Sequence, residues 1–185
     1  MQIKTQRLIL IELSLDYLEA IHALHSLPET DEFNTLGIPD SVQSTRLLLE
    51  EWIKQQHTVP RMSYIFCVTL IGANEFVGLI ALKLGKPNYR NAEVWYKTLP
   101  AFWRQGYTTE ALSKLLAFGF ADLNLHRIEA GCAVENTASI RVLEKVGMIR
   151  EGSSRKLLPI RGEWKDNYVY AILETEFEKL KPVTG

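Results

Sequence analysis

The segment Trp103–Ala111, Trp-Arg-Gln-Gly-Tyr-Thr-Thr-Glu-Ala, joins an extended apolar run to a predicted helix. The run covers Ala92–Leu99, and the helix is predicted to last to about Ala121. A strand that enters a helix through a tight turn at Gly106 leaves the first helical N–H groups without intrahelical partners. These groups lie at the positive end of the helix dipole, where anions bind readily. The spacing therefore predicts a phosphate-binding turn.

Two common phosphate-binding motifs are absent from the sequence, namely G-x-x-x-x-G-K-[ST] and G-x-G-x-x-G. The segment instead resembles the coenzyme A pyrophosphate loop of the GNAT acyltransferases, [QR]-x-x-G-x-[GA]. It is most similar to the branch of ribosomal-protein N-terminal (α-amino) acetyltransferases, in which W-G-K-G-Y-A-T-E-A is common. Arg104 and Thr108 stand where that branch usually has glycine and alanine. Both are compatible with binding through backbone N–H groups, and a cationic Arg104 would attract a pyrophosphate.

Two further stretches carry the same resemblance in the expected order. The opening T-x-R-L-x-L pattern begins at Thr5, and Asn136–Met148 resembles the N-x-x-S…K-x-G-[FM] signature. The resemblance covers nearly the whole chain and implies an α/β (α+β) GNAT fold. That fold is a mixed, mostly antiparallel sheet of about seven strands, with helices on both faces. It is splayed between the fourth and fifth strands, here Ala92–Leu99 and Arg127–Val134.

The resemblance implies acetyl-CoA as the cosubstrate, and the absence of a C-x-x-C motif or a Cys/His cluster predicts that no metal is bound. Coenzyme A would enter the splay and pair with the unpaired backbone groups of Val94–Leu99, as an additional strand would. The residues expected to contact it are Tyr96, Lys97, Thr98, Leu99, Arg104, Gln105, Gly106, Tyr107, Thr108, Thr109 and Asn136. For Asn136 the simple alternative is a helix N-cap without a cofactor contact.

The reaction that the resemblance implies is attack of an amine on the acetyl thioester. The oxyanion that develops needs a donor, and the family implies a backbone N–H in a bulged region near Tyr96. Glu93, at the start of the fourth strand, is the candidate base, because some family members use a glutamate at this place and burial makes a carboxylate more basic. The alternative is a strand-end glutamate with a structural role.

No tyrosine acid can be assigned by the resemblance, because its usual place is occupied by Leu143. Ser139 stands one helical turn after Asn136 and resembles the serine of the N-terminal branch that protonates the departing thiolate. A serine at a helix start also occurs as a simple aid to capping. Ser139 is therefore the second candidate catalytic residue, with both interpretations open.

A protein N-terminal α-amine is the expected acceptor. An α-amino group has a pKa of about 7.7–8.0 and lysine about 10.4, so roughly 10% of the former is neutral at pH 7 against well under ~0.1% of the latter. A site without an evident strong acid and base suits the amine that is easier to deprotonate. The alternatives are a small amine (amino acid, polyamine or antibiotic) and an acyl-CoA-binding module without turnover. The acidic loop residues Glu29, Asp31 and Glu32 would attract a cationic amine or would simply be solvated.

The elements that must position these residues follow from periodicity and turn residues. Strands are predicted over Thr5–Leu13, Tyr64–Ile71, Phe76–Leu84, Asn91–Leu99, Arg127–Val134, Met148–Leu158 and Trp164–Leu173. Helices are predicted over Ser14–Leu24, Ser41–Gln56, Tyr107–Ala121, Asn136–Lys145 and Glu174–Leu180. Pro28–Asp40 is predicted to be a loop.

Composition describes an ordinary globular chain of 185 residues with a net charge of −1, predicted to form one domain over residues 1–185. This charge gives no reason to expect nucleic acid or a membrane surface as partner. Cys67 and Cys132 are expected to be buried free thiols, and the N-terminus lacks a signal peptide, so a cytoplasmic monomer or homodimer is predicted. His22 and His25 share one helical side, and they are expected to be exposed histidines rather than metal ligands.

Overall fold

The computed structural model describes residues 1–180. Its eight strands are β1 (Gln2–Lys4), β2 (Leu8–Glu12), β3 (Ser63–Leu70), β4 (Phe76–Leu84), β5 (Asn91–Thr98), β6 (Arg127–Ala133), β7 (Ile149–Ile160) and β8 (Glu163–Leu173). Its six α-helices are α1 (Leu18–Ser26), α2 (Pro28–Asp31), α3 (Val42–Gln56), α4 (Tyr107–Ala121), α5 (Thr137–Lys145) and α6 (Glu174–Leu180).

All eight described strands form one sheet in the order β1-β2-β3-β4-β5-β6-β8-β7. Every neighbouring pair is antiparallel except β5 and β6, which are parallel. The parallel ladder contains three residue pairs and ends at Glu93 opposite Glu129. Beyond this point β5 continues to Thr98 and β6 to Ala133, each paired only on its other side. The sheet is therefore splayed between β5 and β6, as predicted.

Alternation along the strands separates two apolar cores, one on each face of the sheet. Helices α4 and α5 cover the first face, where Leu112, Leu115 and Leu143 pack against residues such as Phe66. Helices α1 and α3 cover the second face, where Ile21, Leu24 and Leu49 pack against residues such as Cys67. The first core continues across the splay, because it includes Val94 of β5 and Ile128 of β6, and it therefore supports both halves of the sheet.

The sheet type, the splay and the helices on both faces are confirmed, but the sheet has eight strands instead of about seven. The predicted first strand, Thr5–Leu13, begins only at Leu8 because Thr5 turns the chain: its backbone N–H donates to the Leu8 carbonyl at 2.9 Å, and its hydroxyl accepts from the Leu8 N–H at 2.8 Å. This turn creates the edge hairpin β1–β2. The predicted loop after Pro28 begins with the short helix α2. Residues 181–185 of the predicted domain lie outside the described residues.

Candidate active site

The splay exposes one edge of β5 to a ligand. Hydrogen bonds from the Leu99 N–H to the Val77 carbonyl and from the Gly85 N–H to the Asn91 carbonyl, both 2.9 Å, fix which groups face β4. Backbone direction alternates along an antiparallel strand. The N–H and carbonyl groups of Val94, Tyr96 and Thr98 therefore face the gap, while those of the intervening residues face β4. This edge can pair with an extended molecule that enters between β5 and β6.

The turn before α4 opens beside this edge. Gly106 is the N-cap of α4, with φ of 81°, and Arg104 also has a positive φ, 60°. The first described hydrogen bond of the helix runs from the Glu110 N–H to the Gly106 carbonyl at 3.0 Å. The preceding N–H groups, from Tyr107 to Thr109, are left for a ligand at the positive end of a 15-residue helix. The turn therefore has the geometry of the predicted anion site.

Side chains fix the first turn of α4 against the hairpin β1–β2. The Glu110 carboxylate accepts from the Thr5 hydroxyl at 2.6 Å, from the Arg7 N–H at 2.8 Å and from Arg7 Nε at 2.6 Å. Burial raises the pKa of Glu110, but the bonds from Thr5 and Arg7 outweigh it, and the net pKa is below its ordinary value. The Arg7 guanidinium also covers the Tyr107 ring at 4.4 Å from its centroid. Glu110 and Arg7 thus hold the anion turn in position.

The other side chains that were predicted to contact coenzyme A near this turn have different partners. Gln105 Nε2 donates to the Ala101 carbonyl at 2.7 Å, so this side chain stabilises the turn. Arg104 is exposed and forms no ion pair with residues 1–180, which leaves its guanidinium free for an anion. The hydroxyls of Thr98 and Thr108 are 2.9 Å apart and join β5 to α4.

Two hydroxyls meet across the splay. Tyr96 Oη lies 2.7 Å from Ser139 Oγ, which links β5 to α5. Burial raises the pKa of the Tyr96 phenol, although the hydrogen bond with Ser139 lowers it. The Cys132 thiol lies on β6 beside Ser139; burial raises its pKa to about 11, with an opposing effect from the Ser139 hydroxyl. The structure therefore places two uncharged proton donors, Tyr96 and Ser139, inside the gap.

The sequence predicted a catalytic role for Ser139, but it assigned no catalytic role to the side chain of Tyr96. Leu143 is buried, as expected of a residue that supplies no acid. The Asn136 side chain accepts from the Ser139 N–H at 3.0 Å, so Asn136 is an N-cap of α5. Any contact of Asn136 with a cofactor stays a prediction. Ser139 does not cap with its own hydroxyl, because that group bonds to Tyr96.

Two expectations about β5 are wrong. Glu93 is exposed, and it lies where β5 still pairs with β6, before the strands separate. Tyr96 is three residues further on, about 10 Å along the strand. The expected bulge near Tyr96 is also not found, since the β4–β5 ladder keeps one register from Gly78–Thr98 to Leu84–Ala92. The role of Glu93 as a base stays a prediction, without the burial that would favour it.

A buried polar cluster lies on the α1/α3 face of β5. Lys97 Nζ is 3.1 Å from His25 Nδ1, and His25 is only 3% exposed. Burial lowers the pKa of Lys97 to about 8, and Asp31 opposes this shift. Burial, followed by the charges of Lys97 and His22, lowers the pKa of His25 to about 4. His25 is therefore neutral at pH 7 and is not the exposed histidine that the sequence predicted.

Asp31 connects this cluster to the opposite side of the splay. The Asp31 side chain is 7% exposed, and its Oδ2 accepts from Nε of Arg161 at 3.2 Å. Arg161 lies in the turn between β7 and β8, and its Nη2 also donates to the Pro28 carbonyl at 2.7 Å. Because β7 and β8 belong to the half of the sheet beyond β6, this contact spans the mouth of the gap. Asp31, His25 and Lys97 are thus beside the gap.

A sequence signal for His25 existed, because it continues the apolar stripe of α1 at helical spacing from Leu18 and Ile21. Asp31 and Arg161 gave no such signal, since 130 residues separate them. Among residues 1–180, no group of three or more His, Cys, Asp or Glu side chains could hold a metal ion. In the same part of the chain, no helix combines the length and the apolar character needed to cross a membrane.

Comparison with known proteins identifies the family of this arrangement. Residues 7–149 match the model of the acetyltransferase (GNAT) domain. The N-acetyltransferase YnaD of Bacillus subtilis is 46% identical over 85 residues, which are 46% of this chain and 50% of the relative. The N-acetyltransferase YoaA of the same organism is 28% identical over 172 residues, covering 93% of this chain and 96% of YoaA.

Solved structures show the same fold. An acetyltransferase of the GNAT family from Bacillus anthracis has a TM-score of 0.82 at 35% identity, covering 95% of this chain and 100% of that chain. A spermidine N-acetyltransferase from Vibrio cholerae, in complex with CoA and spermine, has a TM-score of 0.83 at 24% identity, covering 94% and 99%. A ribosomal L7/L12 α-N-protein acetyltransferase, RimL, in complex with coenzyme A, has a TM-score of 0.84 at 19% identity, covering 94% and 98%.

Proposed function

The chain belongs to the GNAT family and is an N-acetyltransferase that uses acetyl-CoA, and from this premise we propose that its acceptor is the α-amine of a protein N-terminus. The fold does not select the acceptor, because one structural relative acts on a ribosomal protein and another on spermidine. The selection must come from the side chains beside the gap.

In the proposed complex, the turn at Gly106 binds the diphosphate of acetyl-CoA through the first N–H groups of α4, with Arg104 as an added cation. The pantetheine arm pairs with the free edge of β5. The Tyr96 N–H, which faces the gap, donates to the oxyanion. Tyr96 and Ser139, whose hydroxyls are 2.7 Å apart, supply the proton that the departing thiolate takes up.

The charged residues beside the gap support an α-amine as the acceptor. The cluster contains the cations Lys97 and Arg161 but a single buried carboxylate, Asp31, which Arg161 already engages. Glu29 and Glu32 of the acidic loop are exposed instead of turned into the cluster. A polyamine, which carries several positive charges, would be repelled by Arg161 and by the protonated form of Lys97, which predominates at pH 7. An amine that loses its proton easily is compatible with these neighbours, and an α-amine has the required pKa of about 8.

Free-thiol release from acetyl-CoA tests the acceptor. The substrates are a lysine-free peptide with a free N-terminal alanine, the same peptide with an acetylated N-terminus and one internal lysine, and spermidine. We expect the free α-amine to have the highest kcat/KM at pH 7, with at least a tenfold advantage, since its neutral fraction is a few hundredfold (roughly 200- to 400-fold) larger than that of lysine.

Mass spectrometry of the peptide should place the acetyl group on the terminal nitrogen. A higher kcat/KM for spermidine or for the lysine peptide would reject the proposed acceptor and favour the small-amine alternative. Because the family relationship does not depend on the acceptor, that result would leave the use of acetyl-CoA intact.

A further inference from the structure

We propose that Lys97, in its neutral form, is the base that takes the proton from the attacking amine, and that His25 and Asp31 position it. This inference rests on the acetyl transfer described above, but it does not depend on which amine is the acceptor.

The placement of Lys97 is the first argument. Lys97 is the neighbour of Tyr96 on β5, and its side chain lies on the face covered by α1 and α3, next to the mouth of the gap. Its Nζ is fixed by His25 Nδ1 at 3.1 Å. The rings of Trp52 and Trp95, with centroids 5.3 Å apart, pack on the same face, and His25 lies 6.2 Å from Trp52. Lys97 is half-buried, and the contact with His25 holds its Nζ within this cluster.

The unused hydrogen-bonding capacity of the cluster is the second argument. Asp31 Oδ1 and His25 Nε2 are buried and form no hydrogen bond with residues 1–180. Buried polar atoms in proteins nearly always have a partner. An amine or an amide N–H group that enters beside Lys97 would give Asp31 Oδ1 the donor it lacks, so the cluster is suited to receive the acceptor nitrogen.

The charges around Lys97 set its protonation. Lys97 is faced by His25 on α1, by Asp31 on α2 and, through Asp31, by Arg161 between β7 and β8, while its neighbours on β4 and α3 are apolar or aromatic. Burial lowers its pKa to about 8, so about a tenth of the molecules carry a neutral Lys97 at pH 7. A general base works best when its pKa is near the working pH.

The proton and electron balance is complete with these groups. The lone pair of the neutral acceptor nitrogen forms the C–N bond, and Lys97 Nζ takes the proton that this nitrogen loses. The C–S bond then breaks, its electron pair stays on sulfur, and the sulfur takes a proton from the pair Tyr96 and Ser139. Lys97 releases its extra proton to solvent, and the hydroxyl pair regains one, so the products are an amide and free coenzyme A.

Two substitutions at Lys97 test the proposal with the best acceptor of a peptide and small-amine panel. Lys97→Arg keeps a cation that cannot lose its proton, and Lys97→Met removes the amine. We expect both to lower kcat by 10²-fold or more, the range of general-base catalysis, while the Kd of acetyl-CoA measured by calorimetry changes by less than about threefold. Lys83→Arg, at an exposed lysine of β4, is the matched control.

The pH profile separates a base from a fixed cation. Asp31 raises the pKa of Lys97, so Asp31→Asn should move the acidic limb of kcat/KM to lower pH. The free acceptor titrates identically with both enzymes, and kcat/KM reports only free enzyme and free substrate. An unmoved limb, or a limb that moves to higher pH, would contradict the proposal.

Three further results would overturn the assignment. Lys97→Arg with more than a tenth of wild-type kcat would make Lys97 a fixed cation, and loss of turnover in Glu93→Gln with activity retained in Lys97→Arg would make Glu93 the base. NMR titration of 13C-methylated lysines gives a measurement without any acceptor. We expect one lysine resonance, missing in Lys97→Arg, to titrate near pH 8; a Lys97 resonance that titrates above pH 10 would reject the proposal even if every acceptor in the panel were inactive.

Discussion

Several side chains beside the gap are unfavourable to bury but have chemical properties that the reaction can use. His25 and Lys97 are ionisable groups placed in an apolar environment, where burial disfavours their charged forms. Tyr96 and Ser139, in contrast, carry neutral hydroxyl groups, and these form a hydrogen bond with one another within the gap. Each group can therefore be tested by a measurement that responds to its own protonation or hydrogen bond.

The stability of the protein should depend on pH through His25. Its pKa is about 4 in the folded chain and about 6.5 when unfolded, so the unfolded state binds the extra proton between these values. The contribution of neutral His25 is therefore complete above pH 6.5 and is lost as the pH falls towards 4. Urea unfolding should show a decrease of about 2 kcal/mol from pH 7 to pH 5 through this residue.

His25→Gln should remove most of that decrease, whereas His57→Gln, at an exposed histidine, should retain it. Equal pH dependence of the free energy of unfolding in wild type and His25→Gln would show that His25 does not titrate as its burial implies.

The Tyr96–Ser139 pair should behave as one unit in catalysis. We expect Tyr96→Phe and Ser139→Ala each to lower kcat by about 10- to 100-fold, because each leaves the departing thiolate with a poorer donor. The kcat of the double variant should lie within about threefold of the kcat of the slower single variant. The effects of two groups that act together on kcat are not additive. Additive losses in a double-mutant cycle would indicate two independent roles.

The positions of the side chains in the gap depend on where the β5–β6 ladder ends and where α4 begins. The parallel ladder of β5 and β6 stops after three pairs, and the N-cap of α4 falls beside the free edge that results. Close packing of β4 against β5 supports this edge, because a Cβ on Gly78 would lie 2.2 Å from the Lys97 carbonyl oxygen. Glu110 then ties the beginning of α4 to Thr5 and Arg7.

Gly106→Ala tests whether the turn before α4 binds acetyl-CoA, apart from its effect on the stability of the fold. A left-handed backbone costs a residue with a Cβ about 1–2 kcal/mol, and Gly106 has φ of 81°. The Cβ would have Arg7 Nη2 at 3.5 Å as its near contact and would project beside the N–H groups of the turn. We expect a loss of about tenfold or more in acetyl-CoA affinity by calorimetry, because the diphosphate needs close approach to this backbone.

Gly72→Ala, in the β3–β4 turn at φ of 87°, is the matched control. It should be destabilised by a similar amount in urea and should bind acetyl-CoA as wild type does. Unchanged affinity in Gly106→Ala would show that the diphosphate does not bind at this turn.

The whole molecule consists of two halves of a sheet that meet along a short ladder and separate towards the site. Side chains bridge the open part, as Tyr96 meets Ser139 and Arg161 meets Asp31. In the proposed complex the acyl donor lies along β5 and the acceptor enters under the β7–β8 turn. The assembly state, monomer or homodimer, stays a prediction.

Arg161→Ala should affect the acceptor more than the donor. Arg161 holds the β7–β8 turn on Asp31 and Pro28, far along the chain from the turn at Gly106. We expect the KM of the acceptor to rise by about tenfold, since removal of the cation leaves the buried Asp31 without its partner. The KM of acetyl-CoA should change by less than about twofold. Arg155→Ala, an exposed position on β7, is the control, and equal effects on both KM values would contradict this division of the site.

Features that depend on residues a few positions apart could be predicted from the sequence alone. The turn at Gly106, the Asn136 cap and the alternation that buries Cys67 and Cys132 involve groups a few positions apart, so their spacing predicts them. The splay also followed, because the resemblance supplied its strand order.

The contacts inside the gap, in contrast, depend on how the whole chain packs. His25 and Lys97 are 72 residues apart, and Asp31 and Arg161 are 130 apart, so no local pattern records their contacts. The position of Glu93 outside the gap is equally non-local, because it depends on where β6 leaves β5. Burial and pairing across the sheet, which set the pKa of each group, are properties of the packed chain and of no single segment.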